Sequence, residues 1–250
     1  MRITVLTLFP EMFDGFLSTS IIKRALDKQQ VEIELVNFRD FTLDKHNKVD
    51  EYPYGGGQGM VLMCQPIVDA IKHYKTEDSV VIMITPEGKT FKQTVAHDLA
   101  MKNHIIFVCG HYEGFDARIS EYCDMKLSLG DFILTGGEVA VMAMSDAIVR
   151  LLDGVIRESS HQDESFENQL LEYPQYTRPV DFEGQKVPDV LLSGHHENIR
   201  KWRLKESLKR TLELRPDLLD GKELSKEECK MLEEIKSGNF IHPLSSRQRK

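Results

Sequence analysis

Three apolar segments in the middle of the chain each run into a turn that contains glycine. Their length and composition predict buried strands. The predicted strands are 79–85, 104–109 and 125–134. The turns that contain glycine are 86–88, 110–114 and 130–137, and the last of them overlaps the end of its strand. Ligands of open α/β sheets bind outside the carboxyl ends of the strands, so three such turns can form one pocket.

The amino-terminal region indicates how these strands are arranged. Residues 2–8 and 31–37 are predicted as strands, and 10–28 as a helix with Pro10 in its first turn. This strand–helix–strand order favours a parallel α/β sheet. The turn after the first strand lacks Gly-x-Gly-x-x-Gly, which excludes a dinucleotide site of the Rossmann type there. Further helices are predicted at 66–74, 93–101, 115–122 and 138–152.

Adjacent glycines, Gly136 and Gly137, precede the largely buried helix that begins at Glu138. A glycine pair suits backbone with positive φ and lets backbone amides approach a ligand closely. The alternative is a helix N-cap with two permissive residues. A second glycine-rich stretch, 55–59, lies between aromatic and basic residues. It lacks the Lys-[Ser/Thr] of a P-loop and is either a base-binding loop or a mobile surface loop.

The last third of the chain has a different character. Residues 153–177 have no apolar period, which predicts a domain boundary there, and helices are predicted at 197–214 and 226–236. Residues 195–215 contain seven Lys or Arg and three Glu, although the whole chain has a net charge of −8. This segment is either a phosphate-binding face or a solvated amphipathic helix.

Composition limits the class of protein. A chain of 250 residues can form one large or two modest domains. It has no apolar run of about 18 residues, so no membrane span is expected. Its four cysteines are scattered without a Cys-x-x-Cys pair, which is typical of reduced thiols in a cytoplasmic protein and indicates no metal site.

Six motifs occur in one order along the chain. They are Pro53-Tyr-Gly-Gly-Gly-Gln-Gly-Met60, Cys109-Gly-His-Tyr-Glu-Gly-Phe-Asp-Ala-Arg118, Leu129-Gly-Asp-Phe-Ile-Leu-Thr-Gly-Gly-Glu138, Ser160-His-Gln-Asp-Glu-Ser-Phe166, Tyr176-Thr-Arg-Pro179 and Leu192-Ser-Gly-His-His-x-x-Ile-x-x-Trp-Arg203. Together they resemble the bacterial tRNA (guanine-N1)-methyltransferases of the SPOUT class. The resemblance extends from Met1 to about Ser237.

The resemblance implies a fold and an activity. The fold is α/β, with a parallel sheet whose C-terminal part forms a deep trefoil knot, and a small all-helical C-terminal domain. The implied organisation is a donor-binding domain at 1–157, a flexible linker at 158–176 and a tRNA-binding domain at 177–250. The implied activity methylates N1 of the guanine just 3′ of the anticodon in tRNA (m1G37), using S-adenosylmethionine, in a homodimer. Dependence on Mg²⁺ is also expected, with no site located by spacing.

By resemblance, the three glycine-containing turns hold the methyl donor. The implied contacts are Thr85, Pro86, Gly88, Gly110, Tyr112, Glu113, Leu129, Gly130, Asp131, Phe132, Ile133, Leu134, Gly136 and Gly137. The residue types suit this role, because an adenine requires an apolar slot with backbone donors and acceptors around it.

The chemistry requires two further groups. Guanine N1 carries a proton that a general base must remove, and a guanidinium can stabilise the charge that gathers on O6. By resemblance Arg150 is that guanidinium, and the base is an Asp directly before the Ser-Phe pair. Here that position is Glu164, preceded by Asp163. Glu164 is the favoured base and Asp163 the alternative. His195, where the family usually has Asn, is a second departure.

Two other functions remain open at this point. An RNA-binding module without catalysis would use the 195–215 segment and the 55–59 loop. A SPOUT enzyme acting on another RNA, or on a ribose 2′-hydroxyl, would not need a base for an N1 proton.

Overall fold

The computed structural model describes residues 1–156 and 164–238. The chain divides into two compact units, Met1–Arg157 and Glu158–Lys250. Within the described ranges, no helix has the length and apolarity that crossing a membrane requires.

A five-stranded parallel sheet forms the first unit. The strands of this unit are β1 (Arg2–Thr7), β2 (Glu32–Asn37), β3 (Asp50–Glu51), β4 (Val61–Leu62), β5 (Ser79–Thr90), β6 (His104–Val108) and β7 (Met125–Ser128). The order in the sheet is β2-β1-β6-β5-β7, and β3 pairs with β4 in a separate antiparallel hairpin. The predicted parallel α/β sheet is confirmed.

Helices cover both faces of the sheet. They are α1 (Asp14–Leu17), α2 (Ser20–Asp27), α3 (Cys64–Tyr74), α4 (Gln93–Ala100) and α5 (Glu138–Val149), with 3-10 helices at Pro10–Phe13, Phe38–Phe41 and Ala117–Tyr122. Alternate strand residues belong to two apolar clusters. Ile105 and Phe107 pack with α2, α4 and α5, whereas Ile106 and Val108 pack with α3. Burial on both faces explains why these strands are apolar without alternation.

The single helix predicted for 10–28 is wrong. The chain instead forms a 3-10 turn, α1 and α2, with a break at Ser20, where φ is +56°. The Thr19 hydroxyl donates to the carbonyl oxygen of Gly15 at 2.7 Å. Such local bonds from Ser and Thr side chains compete with helix continuation.

Three other boundaries also differ from the predictions. β7 ends at Ser128, so most of the strand predicted for 125–134 is loop. The turn predicted at 86–88 lies inside β5. It forms an irregularity in the pairing with β7, in which Ile84 and Lys89 are both paired with Leu127. The helix predicted for 115–122 is a 3-10 helix.

The second unit is mainly helical. It contains α6 (Asp189–Leu192), α7 (His196–Leu214) and α8 (Lys226–Ser237), which confirms the helices predicted for 197–214 and 226–236. It also contains an antiparallel hairpin of β8 (Asp181–Phe182) and β9 (Gln185–Lys186), so its description as all-helical is wrong. The two residues of its turn, Glu183 and Gly184, both have positive φ, which allows the tight hairpin.

Residues 164–176, the described part of the predicted linker, make contacts within the second unit. Leu170 is buried with Leu208 of α7 and Leu232 of α8. The backbone N–H of Leu171 donates to the Thr211 hydroxyl at 2.8 Å. An apolar residue without periodic neighbours gives no sequence signal, and for this reason the attachment was not predicted.

Candidate functional site

A cavity of about 300 Å³ lies at the carboxyl edge of the parallel sheet, at the irregularity inside β5 and after the ends of β6 and β7. Residues of the first unit line it, at 84–86, 110–115, 128–130 and 132–137, together with Ala140 of α5. The three predicted turns therefore surround a common space, because parallel strands end at the same edge of the sheet.

Most of the residues implied as donor contacts lie around this cavity. Those that line it are Thr85, Pro86, Gly110, Tyr112, Glu113, Leu129, Gly130, Phe132, Ile133, Leu134, Gly136 and Gly137. Gly88 and Asp131 do not line it. Gly88 packs on β7 instead, since a Cβ there would lie 2.5 Å from the backbone nitrogen of Leu127.

Exposed apolar side chains form one wall of the cavity. Ile133 is 80% exposed and Phe132 is 56% exposed. Leu134 and Val139 are also exposed close by in the chain. Large apolar groups grouped at a cavity mouth are unusual on a monomer surface and indicate a ligand or protein contact.

The glycine pair is required for space and not for positive φ. Gly137 is the N-cap of α5 with a φ of −78°, so the expectation of positive φ is wrong. A Cβ on Gly137 would lie 2.9 Å from Cys109 Cα and 3.1 Å from the Gly110 nitrogen. Its own N–H donates to the Gly110 carbonyl oxygen at 2.9 Å. Two backbone segments thus meet where any side chain would separate them.

Three polar residues near the cavity were missed by the sequence reasoning. His111 lines the cavity, and its Nε2 lies 3.0 Å from Oε2 of Glu138. The Thr7 hydroxyl donates to Oε1 of the same carboxylate at 2.7 Å. Glu138 is 1% exposed and Thr7 is fully buried. The available signal was a charged residue at the head of an otherwise apolar helix.

Burial also changes the neighbouring thiol. The pKa of Cys109 is raised well above its usual value, first by burial and then by the negative charge of Glu138. The thiol is therefore neutral at physiological pH and acts as a small apolar side chain under the glycine pair.

The glycine-rich loop is attached to the same turn. Glu113 N–H donates to the Met60 carbonyl oxygen at 3.0 Å, and Leu62 N–H donates to that of Gly114 at 2.9 Å. A Cβ on Gly59 would lie 2.5 Å from the Glu113 side chain. The β3–β4 pairing joins the two ends of the loop, and its Gly59–Leu62 end is attached to the turn that lines the cavity, while residues 55–59 are exposed.

Arg150, the catalytic residue implied in the first unit, does not line this cavity. Arg150 caps the carboxyl end of α5, whereas Gly137 caps its amino end. At a rise of about 1.5 Å per residue, these two caps are roughly 20 Å apart. Glu164 belongs to the second unit, where it lines a cavity of about 570 Å³ with Arg200 and Arg203 of α7. Asp163 lies outside the described residues.

Ion pairs neutralise part of the basic segment predicted to bind phosphate. Arg200 pairs with Glu197 at 3.0 Å and with Glu227 at 2.8 Å, and the first contact lowers the pKa of Glu197 to about 2. The Arg203 guanidinium lies 4.8 Å from the centre of the Tyr173 ring. Exposed pairs of this kind contribute little stability, so RNA phosphates can replace their carboxylates.

His195, the second departure from the family pattern, is the N-cap of α7 and is exposed.

Among the residues in 1–156 and 164–238, no group of three or more His, Cys, Asp or Glu side chains could hold a metal ion.

Over residues 1–221, the chain matches the family described as tRNA (Guanine-1)-methyltransferase TrmD. The chain belongs to this family. It is 59% identical over 237 residues to a tRNA (guanine-N(1)-)-methyltransferase of Clostridium botulinum strain 657, with 94% of this chain and 98% of the relative covered. A protein of the same name from Bacillus cereus strain AH820 is 54% identical over 243 residues, covering 95% of this chain and all of the relative.

A third relative has the same extent. The tRNA (guanine-N(1)-)-methyltransferase of Clostridium perfringens strain SM101 is 59% identical over 234 residues, covering 93% of this chain and 99% of its own. Similarity therefore includes the second unit as well as the sheet, and the resemblance to this family is confirmed.

Proposed function

We propose that this chain transfers a methyl group to N1 of the guanine just 3′ of the anticodon in tRNA. As a member of its family, the chain is a tRNA (guanine-N1)-methyltransferase. The target position is the finer part of the proposal. The observation that carries the assignment of the active region is the glycine-lined cavity at the carboxyl ends of β5 to β7.

The cavity fits a methyl donor of the S-adenosylmethionine type. Gly110 and Gly137 line the cavity at the head of α5, where the absence of side chains lets their backbone segments lie close together, and Leu129, Ile133 and Leu134 offer apolar walls for an adenine. When bound, S-adenosylmethionine supplies the electrophilic methyl group. The chain holds it at Thr85, Pro86, Gly110, Tyr112, Glu113 and residues 129–137, with Gly88 supporting the wall from behind.

Membership in a SPOUT family also favours a trefoil knot, which we include in the proposal. In support, the segment that enters α5 runs against the turn after β6: His111 forms an antiparallel bridge with Gly136, and Gly137 bonds to Gly110. A chain that passes through a loop requires such close backbone approach, and glycine permits it.

We assign the proton transfer to Glu164 and the stabilisation of O6 to Arg150. Within one chain, Arg150 is roughly 20 Å along α5 from Gly137, by the rise of about 1.5 Å per residue. The apolar side chains of Phe132, Ile133 and Val139 are exposed beside the cavity. Both observations favour a homodimer in which a second copy covers this wall and completes the site. Mg²⁺ is expected from the family, and no residue is assigned to it.

The decisive experiment is methyl transfer to tRNA transcripts, followed by mass analysis of the nucleosides. We expect 1-methylguanosine from transcripts that have guanine 3′ of the anticodon, and none when that guanine is replaced. Ribose methylation would instead assign the chain to another SPOUT reaction. Binding without transfer would leave only an RNA-binding function.

The general base is tested separately. Glu164→Gln should slow single-turnover methyl transfer by about 10²–10⁴-fold and leave donor binding intact. Glu167→Gln is the matched control, because Glu167 lies on the same turn. Asp163→Asn should cost much less than Glu164→Gln. The reverse order would assign the base to Asp163.

Mixed dimers test whether two chains share a site. Glu164→Gln and Gly137→Val should impair the chain for different reasons, one through the base and one through donor binding, so a mixed dimer would contain one site with an intact donor cavity and an intact base. Refolding the two together should restore activity. If verified mixed dimers remain inactive, the shared site is wrong.

A further inference from the structure

A buried polar network lies directly behind the cavity. It consists of Thr7, His111 and Glu138, of which Glu138 is 1% exposed. Burying a carboxylate is costly unless its oxygens are hydrogen-bonded, and both oxygens of Glu138 have a partner here. The proposed methyl transfer does not use this group. Its retention at the cavity therefore calls for another role.

The network joins three parts of the chain that meet only in the folded structure. Thr7 is the last residue of β1, His111 lies in the turn after β6, and Glu138 begins α5. The Thr7 hydroxyl also accepts the N–H of Phe9 at 2.9 Å, and the Phe9 ring packs 4.6 Å from that of His111. Phe9 thus contacts both Thr7 and His111, and Glu138 is held as the first residue of α5.

Glu138 is the middle member of the network and accepts a hydrogen bond from each of the other two. The Thr7 hydroxyl donates to Oε1, and a proton on Nε2 of His111 would be donated to Oε2. The carboxylate also lies in the first turn of α5, where the helix dipole favours negative charge. A glutamine here would keep the shape and change one acceptor into a donor.

The contact between His111 and Glu138 joins two segments that line the cavity. Gly136 lies beside both side chains, and a Cβ on Gly136 would overlap Nε2 of His111 and Oε2 of Glu138. The backbone of His111 bridges Gly136, while Gly110 bonds to Gly137. Loss of the side-chain contact would leave the turn at 110–114 and the loop at 134–137 joined by backbone bonds alone.

We propose that His111 and Glu138, supported by Thr7, are positioning residues that hold these two walls at the separation the methyl donor requires. The inference rests on the proposed function, because it takes this cavity as the donor site. Neither residue is assigned a chemical step.

β1 offers a matched control three residues away. Thr4, like Thr7, is fully buried, and its hydroxyl lies 2.9 Å from Nε2 of His104. Neither Thr4 nor His104 lines the cavity. Thr7→Val and Thr4→Val remove one buried hydroxyl each from the same strand without changing side-chain shape. Thr7→Val loses the bonds to Glu138 and Phe9, and Thr4→Val loses the bond to His104, so the pair compares a hydroxyl lost beside the cavity with one lost away from it.

The test titrates the full-length variants with S-adenosylmethionine by calorimetry and follows methyl transfer at varied donor and tRNA. We expect Thr7→Val and His111→Ala to weaken donor binding by about 10- to 100-fold, the range for hydrogen bonds to charged groups. KM for the donor should rise while KM for tRNA stays unchanged. His111→Gln, which can still donate to Glu138, should recover most of the affinity. Thr4→Val should bind the donor as the wild type does.

Two results would overturn the inference. One is wild-type donor affinity in Thr7→Val and His111→Ala, and the other is an equal loss in Thr7→Val and Thr4→Val. If His111→Ala does not fold, the threonine pair decides. Gly137→Val separates the two proposals: donor binding that survives in this variant would refute the proposed donor site itself. Binding lost in Gly137→Val but normal in Thr7→Val would refute only the positioning role.

Discussion

Each end of the central sheet contains a histidine in a buried polar network, and the two networks differ in what surrounds them. His104 begins β6 and is bonded by two hydroxyls, from Thr4 at 2.9 Å and Ser79 at 2.8 Å. His111 follows β6 at the other end and is bonded by the carboxylate of Glu138 at 3.0 Å. Both networks connect neighbouring strands, yet only the second lines a cavity.

The two networks differ in the charge that they bury and in what they support. At the amino end, both ring nitrogens of His104 have a protein partner, and burial lowers the pKa of the ring, so the network is neutral. At the carboxyl end, a buried carboxylate supports backbone segments so close that only glycine fits between them. We infer that the first network serves stability and the second serves a ligand site.

The largest effect should come from the carboxyl end. A valine at position 137 would place its Cβ 2.9 Å from Cys109 Cα, against backbone that cannot move without opening the cavity. Gly137→Val should therefore abolish S-adenosylmethionine binding, as measured by calorimetry. Gly15→Ala is the control, because a Cβ there meets nothing within 4 Å, and it should bind normally. Unchanged affinity in a folded Gly137→Val protein would remove the distinction between the two ends.

The amino end should show a loss of stability without a loss of binding. His104→Ala leaves the buried Thr4 hydroxyl without its ring partner, whereas Ser79 keeps its bonds to Thr76. A buried unsatisfied group costs about 1–3 kcal/mol, and loss of the buried ring adds a cost in packing. We expect the free energy of unfolding in urea to fall by about 2–4 kcal/mol. Donor affinity should change less than about twofold, within the error of a calorimetric titration. A large loss of donor binding would show that the two ends are coupled.

The sequence predicted the layers of the first unit better than its contacts. Apolar runs and glycine turns locate β5, β6 and the cavity edge, because strand length and turn chemistry are local properties. The bond between His111 and Glu138 is not local. It depends on β6 lying beside β1 and on the loop before α5 returning to β6, and neither follows from periodicity.

Tertiary packing decides the role of some residues whose neighbours in sequence are uninformative. The positive φ expected for the glycine pair is wrong for Gly137, which is required by the backbone of Cys109 and Gly110, while Gly136 is required by the side chains of His111 and Glu138. The flexible linker at 158–176 stays a prediction, and Leu170 in its described part is buried with residues of α7 and α8.

The pH dependence of stability tests whether His104, at the amino end of the sheet, is buried as a neutral ring. Burial lowers the pKa of His104 below the value of 6.5 expected for the unfolded chain. Below pH 6.5 the unfolded state therefore binds the proton more readily, and stability falls as the pH drops from there toward the folded pKa. One such group contributes a slope of at most about 1.4 kcal/mol per pH unit.

The measurement compares urea unfolding of the wild type and of His104→Gln between pH 7 and pH 5.5. The wild type should lose more stability over this range, since glutamine does not titrate. His46→Ala is the control, because His46 is exposed, and it should follow the wild type. Equal slopes for all three proteins would contradict a neutral buried His104.

The smallest expected effect comes from an exposed ion pair near the cavity. It tests whether donor binding depends on the buried network in particular or on any polar contact at the carboxyl end of the sheet. Lys126 of β7 pairs with Glu87, next to the cavity residue Pro86, but their side chains are 37% and 65% exposed. Exposed pairs contribute about 0–1 kcal/mol because water and salt screen them. Lys126→Gln should therefore lower the free energy of unfolding by less than about 1 kcal/mol and leave donor affinity unchanged. If this variant instead weakened donor binding as much as Thr7→Val, any polar contact at this edge would tune the cavity, and the buried network would have no separate role.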